Sequence, residues 1–446
     1  MRQSLVSSTE TRRTTKRDAP MFASLPGAPL TFLLTGFAWL GISFLVGIAL
    51  VIGLVYGTPL PRWLKPVHVH GALVGGILQL AIGALLVSLA RFSDRKDAYA
   101  HSRSALFVTW NGATAGLLLS FWLGNMTFAG LSGLLLTGTV LWLTKIAWIH
   151  VGKVLPEPPG AGWMYRVALV ALLIGLAAGL AMAFHLTDGY YAHARLAHIH
   201  LIVLGFLTVT FTVALHQLLA TLLPVPLALG TLTRFALWSL PAGFAVLLGG
   251  FLMSAVWLEI GVGCLLVASV TLCTVNFLRT WLKAGSPGTA ATDHLLTGAF
   301  FLVLATATGL AMGANYLRNP PLMPLGSLHL AAYTHLAFIG FLTQVICGSL
   351  SFVVPHLLTV TRVHNTAKRE AYRTLLDGIM NRWRTVQLAG LSLGTLALSV
   401  LASLTWSLPL GSPYVQSSVW IAAGLLLASL TLFVAKLAWA VGLRPS

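Results

Sequence analysis

Apolar residues in this chain run in blocks, not in stripes. Twelve stretches, at 29–57, 67–90, 104–124, 128–151, 164–185, 196–223, 233–257, 260–282, 294–315, 328–356, 385–408 and 417–441, are apolar almost all round. Each reaches the roughly 20 residues that a bilayer-crossing helix requires. A helix that is apolar on every side has no water-facing surface, so these elements are predicted to be surrounded by lipid and by one another. The segment 1–28 is polar and basic, with Arg12, Arg13, Lys16 and Arg17. It has no apolar core of its own, so it is expected to be a cytoplasmic tail and not a cleaved signal peptide. Residues 29–442 are expected to form one membrane domain.

A finer pattern repeats inside the blocks. The second span opens His68-Val-His70 and continues to Gly75, and the sixth opens His198-Ile-His200 and continues to Gly205. The tenth carries Tyr333-Thr-His335 and continues to Gly340. The three motifs stand about 130 residues, or four spans, apart, which is the signature of an internal repeat. The units are expected at 29–151, 163–283 and 293–442. The predicted fold class is therefore all-α integral membrane, with twelve transmembrane helices in three pseudo-repeated four-helix arcs. A glycine five residues after the histidine lets a neighbouring helix or a flat macrocycle approach closely.

Charge fixes the expected orientation. Only 8% of residues are charged, the mean hydropathy is +0.86 and the net charge is +17. A soluble chain carries about 25% charged residues. With the N-terminus inside, four of the 27 Lys and Arg fall outside: Arg62, Lys65, Arg195 and Arg318. That bias predicts both termini in the cytoplasm of a bacterial-type inner (plasma) membrane. The largest basic run, Arg362 to Arg384, is read as the loop after the tenth span. The excess charge is thus an orientation signal, with attraction to anionic lipid second, and nucleic acid is not an expected partner. Cys264, Cys273 and Cys347 lie inside apolar stretches and no Cys-x-x-Cys-His occurs, which excludes covalent c-type haem and a disulfide framework.

Fourteen histidines are many for a chain so poor in other polar groups. On this topology His68, His70, His185, His193, His198, His200, His329 and His335 lie toward the outer side. An ionisable group in a span is costly unless paired or ligated, and neutral imidazole is a good ligand for haem iron or copper. His101 and His364 read as solvated loop residues. His150, His216, His294 and His356 read mainly as structural residues near the inner interface. His185 and His193 sit with Asp188, Tyr190 and Tyr191 in a short outer loop, where a plain interfacial role is the simplest. His70, His200 and His335 stand out. Residues i and i+2 of a helix point about 200° apart, so each paired motif serves two different surroundings.

The tenth-span sequence Tyr333-Thr-His335-Leu-Ala-Phe-Ile-Gly340, followed by Ser351 and Pro355, is similar to a stretch in subunit I of the haem–copper oxidases, as is His200-Leu-Ile-Val-Leu-Gly205. Length and span count resemble that family over the whole chain, and the large subunit of nitric oxide reductase is the nearest look-alike. The resemblance implies that His335 ligates a low-spin haem b. Its partner comes from the second span, where His70 and His68 compete; His70, in the same repeat position as His335, is preferred. Tyr333 stands where the family has the ligand of a second, high-spin haem. His200 matches one ligand of the active-site metal, but the seventh span holds no histidine, and Leu204 replaces the family's glutamate. His198 and His193 are further candidates for a copper site with His200. The acidic residues all lie at span ends or in loops, which disfavours redox-driven proton pumping.

The expected function is a b-type haem membrane protein with one or two haems and a degenerate binuclear site. It would transfer electrons within a respiratory or nitric-oxide-handling complex, with a cytochrome c-type or other redox partner subunit on the outer face. Two alternatives stay open: a catalytic oxidase or nitric oxide reductase with unusual metal ligands, and a haem- and copper-associated nitric-oxide stress protein (similar to the NnrS family) or metal transporter.

Overall fold

The computed structural model describes residues 28–90, 100–154, 160–228, 230–317, 327–405 and 407–445. The basic tail, Arg318 and the acidic residues Asp94, Asp97 and Glu157 lie outside them, as do the side chains of His101 and His150. Every regular element among the described residues is helical. Twelve helices are long and apolar enough to cross a membrane.

In chain order these are α1 (Ala28–Val55), α2, α3 (Ala100–Trp122), α4 (Met126–Val154), α5 (Ala161–Ala183), α6, α7 (Thr231–Met253), α8 (Val256–Lys283), α9 (Ala290–Asn315) and α10. A shorter helix, α11 (Thr366–Asn381), precedes α12 (Arg384–Leu404) and α13 (Pro413–Gly442). Each of α2, α6 and α10 is composite. α2 runs Leu64–His70, then Gly71–Leu78 with π-helical winding, then Gln79–Ala90. α6 runs Tyr191–His200, π-helical Leu201–Thr208, then Val209–Leu222; α10 runs Ser327–His335, π-helical Leu336–Thr343, then Gln344–Arg362.

Consecutive spans pack side by side along the whole chain, and α13 returns to pack on α1. The three composite helices are the inner ones. Over their most apolar windows 56, 61 and 67% of residues are buried, against at most 50% in any other span. Large apolar side chains such as Leu45, Val108, Leu131, Ile174 and Trp420 point outward, where a bilayer, unlike water, accepts them without penalty.

The segment expected as a basic loop after the tenth span is helical over α11. Its Asn365 side chain accepts from the Ala367 N–H as an N-cap, and Arg373 pairs with Asp377 at 2.8 Å. Tyr372, Leu376, Ile379 and Met380 form one buried stripe at helical spacing. The many charges of the opposite face hide that stripe from a reading based on net polarity. Trp383 then takes a left-handed turn (φ 52°) into α12. Lys436 of α13, buried, steadies this corner by donating to the carbonyls of Met380 (2.9 Å) and Arg382 (3.0 Å).

Candidate functional site

The three inner helices repeat one local design at the end that carries the paired motifs. His70 donates from Nδ1 to the Pro66 carbonyl (2.9 Å), His200 to Leu196 (2.8 Å) and His335 to Ala331 (2.5 Å), in each case four residues back. That bond fixes the tautomer with the proton on Nδ1 and leaves the Nε2 lone pair facing outward from the helix. Among the described residues no hydrogen bond engages Nε2 of these three rings. The π-helical stretch begins on the very next residue in all three helices. Its i→i+5 closure changes which face the downstream residues present, and such winding inside α-helices is frequent at functional sites. Thr208 and Thr343 end two of the stretches with hydroxyl bonds to the carbonyls five residues earlier, Val203 and Phe338.

The glycine five residues on is filled from a neighbouring helix. A Cβ at Gly75 would lie 2.7 Å from the Trp39 ring of α1, and one at Gly205 would lie 2.6 Å from the Phe244 ring of α7. At Gly340 it would strike Phe301 of α9. The close approach expected at these glycines is therefore made by an aromatic side chain of the protein.

The position two residues before each histidine is equally regular. His68 packs over Gly47 of α1, His198 over Gly179 of α5 and Tyr333 over Gly309 of α9; a Cβ there would lie 2.6, 2.9 and 3.0 Å from the respective rings. Four residues before each of these glycines stands the niche's second wall. His68 donates from Nδ1 to the Ser43 carbonyl (2.7 Å), while Ser43 Oγ donates to the His68 carbonyl (2.6 Å). His198 donates to the Gly175 carbonyl (2.7 Å). The third niche has Ala305 and Tyr333, which lacks an imidazole N–H and makes no such bond. Gly47, Gly179 and Gly309, about 130 residues apart, are ring-contacting positions that the sequence reading missed, although their spacing matches that of the histidines.

Each helix thus presents one ring toward the span before it and one toward the span after it. His70 packs at a tilt against Phe121 of α3 (4.6 Å between centroids) and His200 against Phe251 of α7 (4.4 Å). His335 lies within electrostatic reach of His68, and His70 within reach of His198. Among the motif rings the electrostatic neighbour of His335 is His68, the competitor of the preferred His70. Equivalent residues of a repeat face equivalent neighbours, so two copies of one position turn into different compartments.

Tyr333 lines the third compartment. One turn below His200, a small recess of about 20 Å³ lies between α6, α9 and α10, lined by Leu204, Thr208, Leu302, Ala305, Thr306 and Tyr333 among others. A volume of this size has room for about one water-sized molecule. The histidine trio considered for copper is not assembled: His198 turns to α5, and His193 bonds Ser254 Oγ (3.3 Å) beyond the end of α7. Among the described residues no three His, Cys, Asp or Glu side chains converge on a metal-sized point.

The remaining histidines divide by their partners. His185 (φ 59°) pairs with Asp188 at 3.3 Å in the short connection before α6, and His364 is exposed. His216 is buried against Phe277 and donates to the Thr212 carbonyl (2.8 Å). His356 stacks near Phe352, and His329 is buried at the start of α10. His294, fully buried near the opposite end of the bundle, donates from Nδ1 to Gln344 Oε1 and accepts from Gln387 Nε2 at 3.0 Å. Gln344 in turn donates to Ser392 Oγ (3.1 Å), so the group ties α9, α10 and α12 together. No known family model matches the chain, and no curated protein is similar to it.

Proposed function

We propose that this chain is a membrane-embedded b-type haem protein related to subunit I of the haem–copper oxidases, with three four-helix arcs arranged around α2, α6 and α10. His68 and His335 would hold the haem. The observation that carries this reading is that His68 and His335, on two different inner helices, each have Nδ1 tied to a backbone carbonyl. Such a bond orients the ring and raises the basicity of Nε2, which suits axial ligation. A bis-imidazole haem is coordinatively saturated and passes single electrons without binding substrate. Ser43, Gly47 and Ala331 position the two rings.

On this reading the protein carries electrons in a respiratory or nitric-oxide-handling complex of a bacterial-type inner membrane. The Lys and Arg bias supports cytoplasmic termini, which sets the paired motifs on the outer side, within reach of a cytochrome c-type or other redox subunit. An absorption spectrum of the purified chain tests the proposal. Reduced bands of six-coordinate haem b, lost in His335→Ala and in His68→Ala, are expected; a stable chain free of haem overturns it.

The recess beneath His200 favours a second reading, in which the third compartment receives a small gas. Tyr333 would then offer a phenol oxygen, and His200 a free Nε2, to a metal or ligand between α6 and α10. This version predicts turnover or binding of oxygen or nitric oxide, and carbon monoxide binding that changes in Tyr333→Phe. Bound copper or zinc without haem would instead favour a metal transporter.

A further inference from the structure

Between positions 362 and 384 the chain carries six Lys and Arg against two acids, Glu370 and Asp377. Most of the cations at this corner are occupied within the protein. Arg362 donates to Tyr372 Oη and to the Leu443 carbonyl, Arg369 donates to the Val363 carbonyl, and Arg373 pairs with Asp377. Arg384 pairs with Asp293 of α9 at 3.1 Å, and Lys436 donates to the Met380 and Arg382 carbonyls. Arg382 differs. It is exposed, and among the described residues no hydrogen bond or ion pair engages its guanidinium.

Two indoles hold Arg382 instead. Its guanidinium lies 4.5 Å from the Trp383 ring and 5.6 Å from the Trp439 ring of α13. Both are within cation–π range, which fixes the head without using any of its N–H donors. Trp383 takes its place from a left-handed backbone (φ 52°), a conformation uncommon for a bulky residue and found at ligand clamps. Arg166 is a useful contrast. It lies over Trp148 and Trp163 in the same manner, but donates to the Trp148 carbonyl (3.0 Å).

Large apolar side chains are exposed on the elements that carry Arg382 and its clamp. Trp383 is 57% exposed, Trp439 49%, Leu375 53% and Val386 67%. Exposed apolar groups beside a guanidinium suit one environment, the boundary between hydrocarbon and headgroups, where Trp concentrates. At that depth the anion on offer is a lipid phosphate, which the planar guanidinium fork binds through two N–H groups. The excess of positive charge at the corner favours a headgroup with net negative charge over a zwitterionic one. Below it, Val386, Leu393 and Val400 of α12 recur every seven residues and are each more than half exposed. That spacing keeps them on one helix face, an apolar track for an acyl chain.

We propose that Arg382, clamped between Trp383 and Trp439, binds the headgroup phosphate of an acidic phospholipid whose acyl chains lie along α12. The site is independent of the haem reading.

The test uses the full-length chain, stripped of lipid in nonionic detergent and titrated with dioleoylphosphatidylglycerol or dioleoylphosphatidylcholine, with bound lipid read by native mass spectrometry. Wild type is expected to bind phosphatidylglycerol more tightly. Arg382→Gln should lower that affinity about fivefold, the contribution of one surface cation. Arg382→Lys keeps the charge and should retain more of the affinity than Arg382→Gln. Trp439→Leu removes one wall of the clamp, keeps every charge, and should also weaken binding. Arg279→Gln, at an exposed cation of α8 on the same end of the bundle, should match wild type. The lipid-free thermal midpoint of each variant separates lost binding from misfolding. Equal affinity of wild type for the two lipids overturns the proposal, as does an equal loss in Arg382→Gln and Arg279→Gln. Wild-type affinity in both Arg382→Gln and Trp439→Leu overturns it as well. Displacement of the lipid by inorganic phosphate would assign the site to a free anion and likewise overturn it.

Discussion

His335 and His294 sit in the same bundle on adjacent helices, yet they are opposite kinds of histidine. His335 spends one nitrogen on its own helix and keeps the other free. His294 spends both, one on Gln344 and one on Gln387, and so has nothing left to offer a ligand. His68, His70, His198, His200 and His335 each bond backbone through Nδ1, and toward the other end His216 does the same to Thr212 while His294 is locked between two amides. Composition alone counts all of them as intramembrane histidines; only a ring with both nitrogens satisfied has nothing left to offer a ligand.

The comparison can be broken by substitution. The largest effect is expected from His335→Ala, which should abolish the bound haem of its compartment, read from the reduced α-band, while the protein stays monodisperse. Next comes Gly340→Val. The new side chain meets Phe301 inside a packed helix pair, and overpacking of this kind costs about 1–3 kcal/mol. A lowered thermal midpoint together with a perturbed haem spectrum is expected, because the glycine lies in the π-helical stretch directly below His335.

His294→Leu should reverse that profile. It strands two buried amides, each costing about 1–3 kcal/mol when unsatisfied, so stability should fall while haem content and spectrum hold. Lys436→Met is expected to be similar or milder, about 1–3 kcal/mol, because it strips donors from the Met380 and Arg382 carbonyls at the left-handed corner. His193→Ala sits at the small end. Its partner is an exposed serine hydroxyl, and a change within about 0.5 kcal/mol with unaltered metal content is expected by thermal unfolding and elemental analysis.

Much of this was legible in the sequence, and the gaps have physical causes. The spans were readable because a bilayer imposes length and apolarity on each one independently. The recurrence of His70, His200 and His335 with their glycines pointed to the same place in three helices, and the structure gives those places one design. The pairing was not readable. Periodicity along the chain shows which residues are equivalent but not which of them lie near one another, so a partner for His335 can be proposed only from tertiary packing. Gly47, Gly179 and Gly309 escaped notice because glycines are abundant in spans and only the rings above them reveal their purpose. The α11 helix escaped because its charged face outweighs a stripe of four buried residues. Lys436, an isolated cation in an apolar span, carried a signal that positive-inside counting absorbed.

The central claim is that His68 and His335, with Nε2 free, are a pair of haem ligands. Low-temperature electron paramagnetic resonance of the oxidised full-length protein tests it most directly, comparing wild type with His68→Ala and His335→Ala. The account predicts a low-spin ferric signal of bis-imidazole type in wild type, converted in both variants to a high-spin signal or lost with the haem. A low-spin signal that persists unchanged and at full intensity in both variants would contradict it.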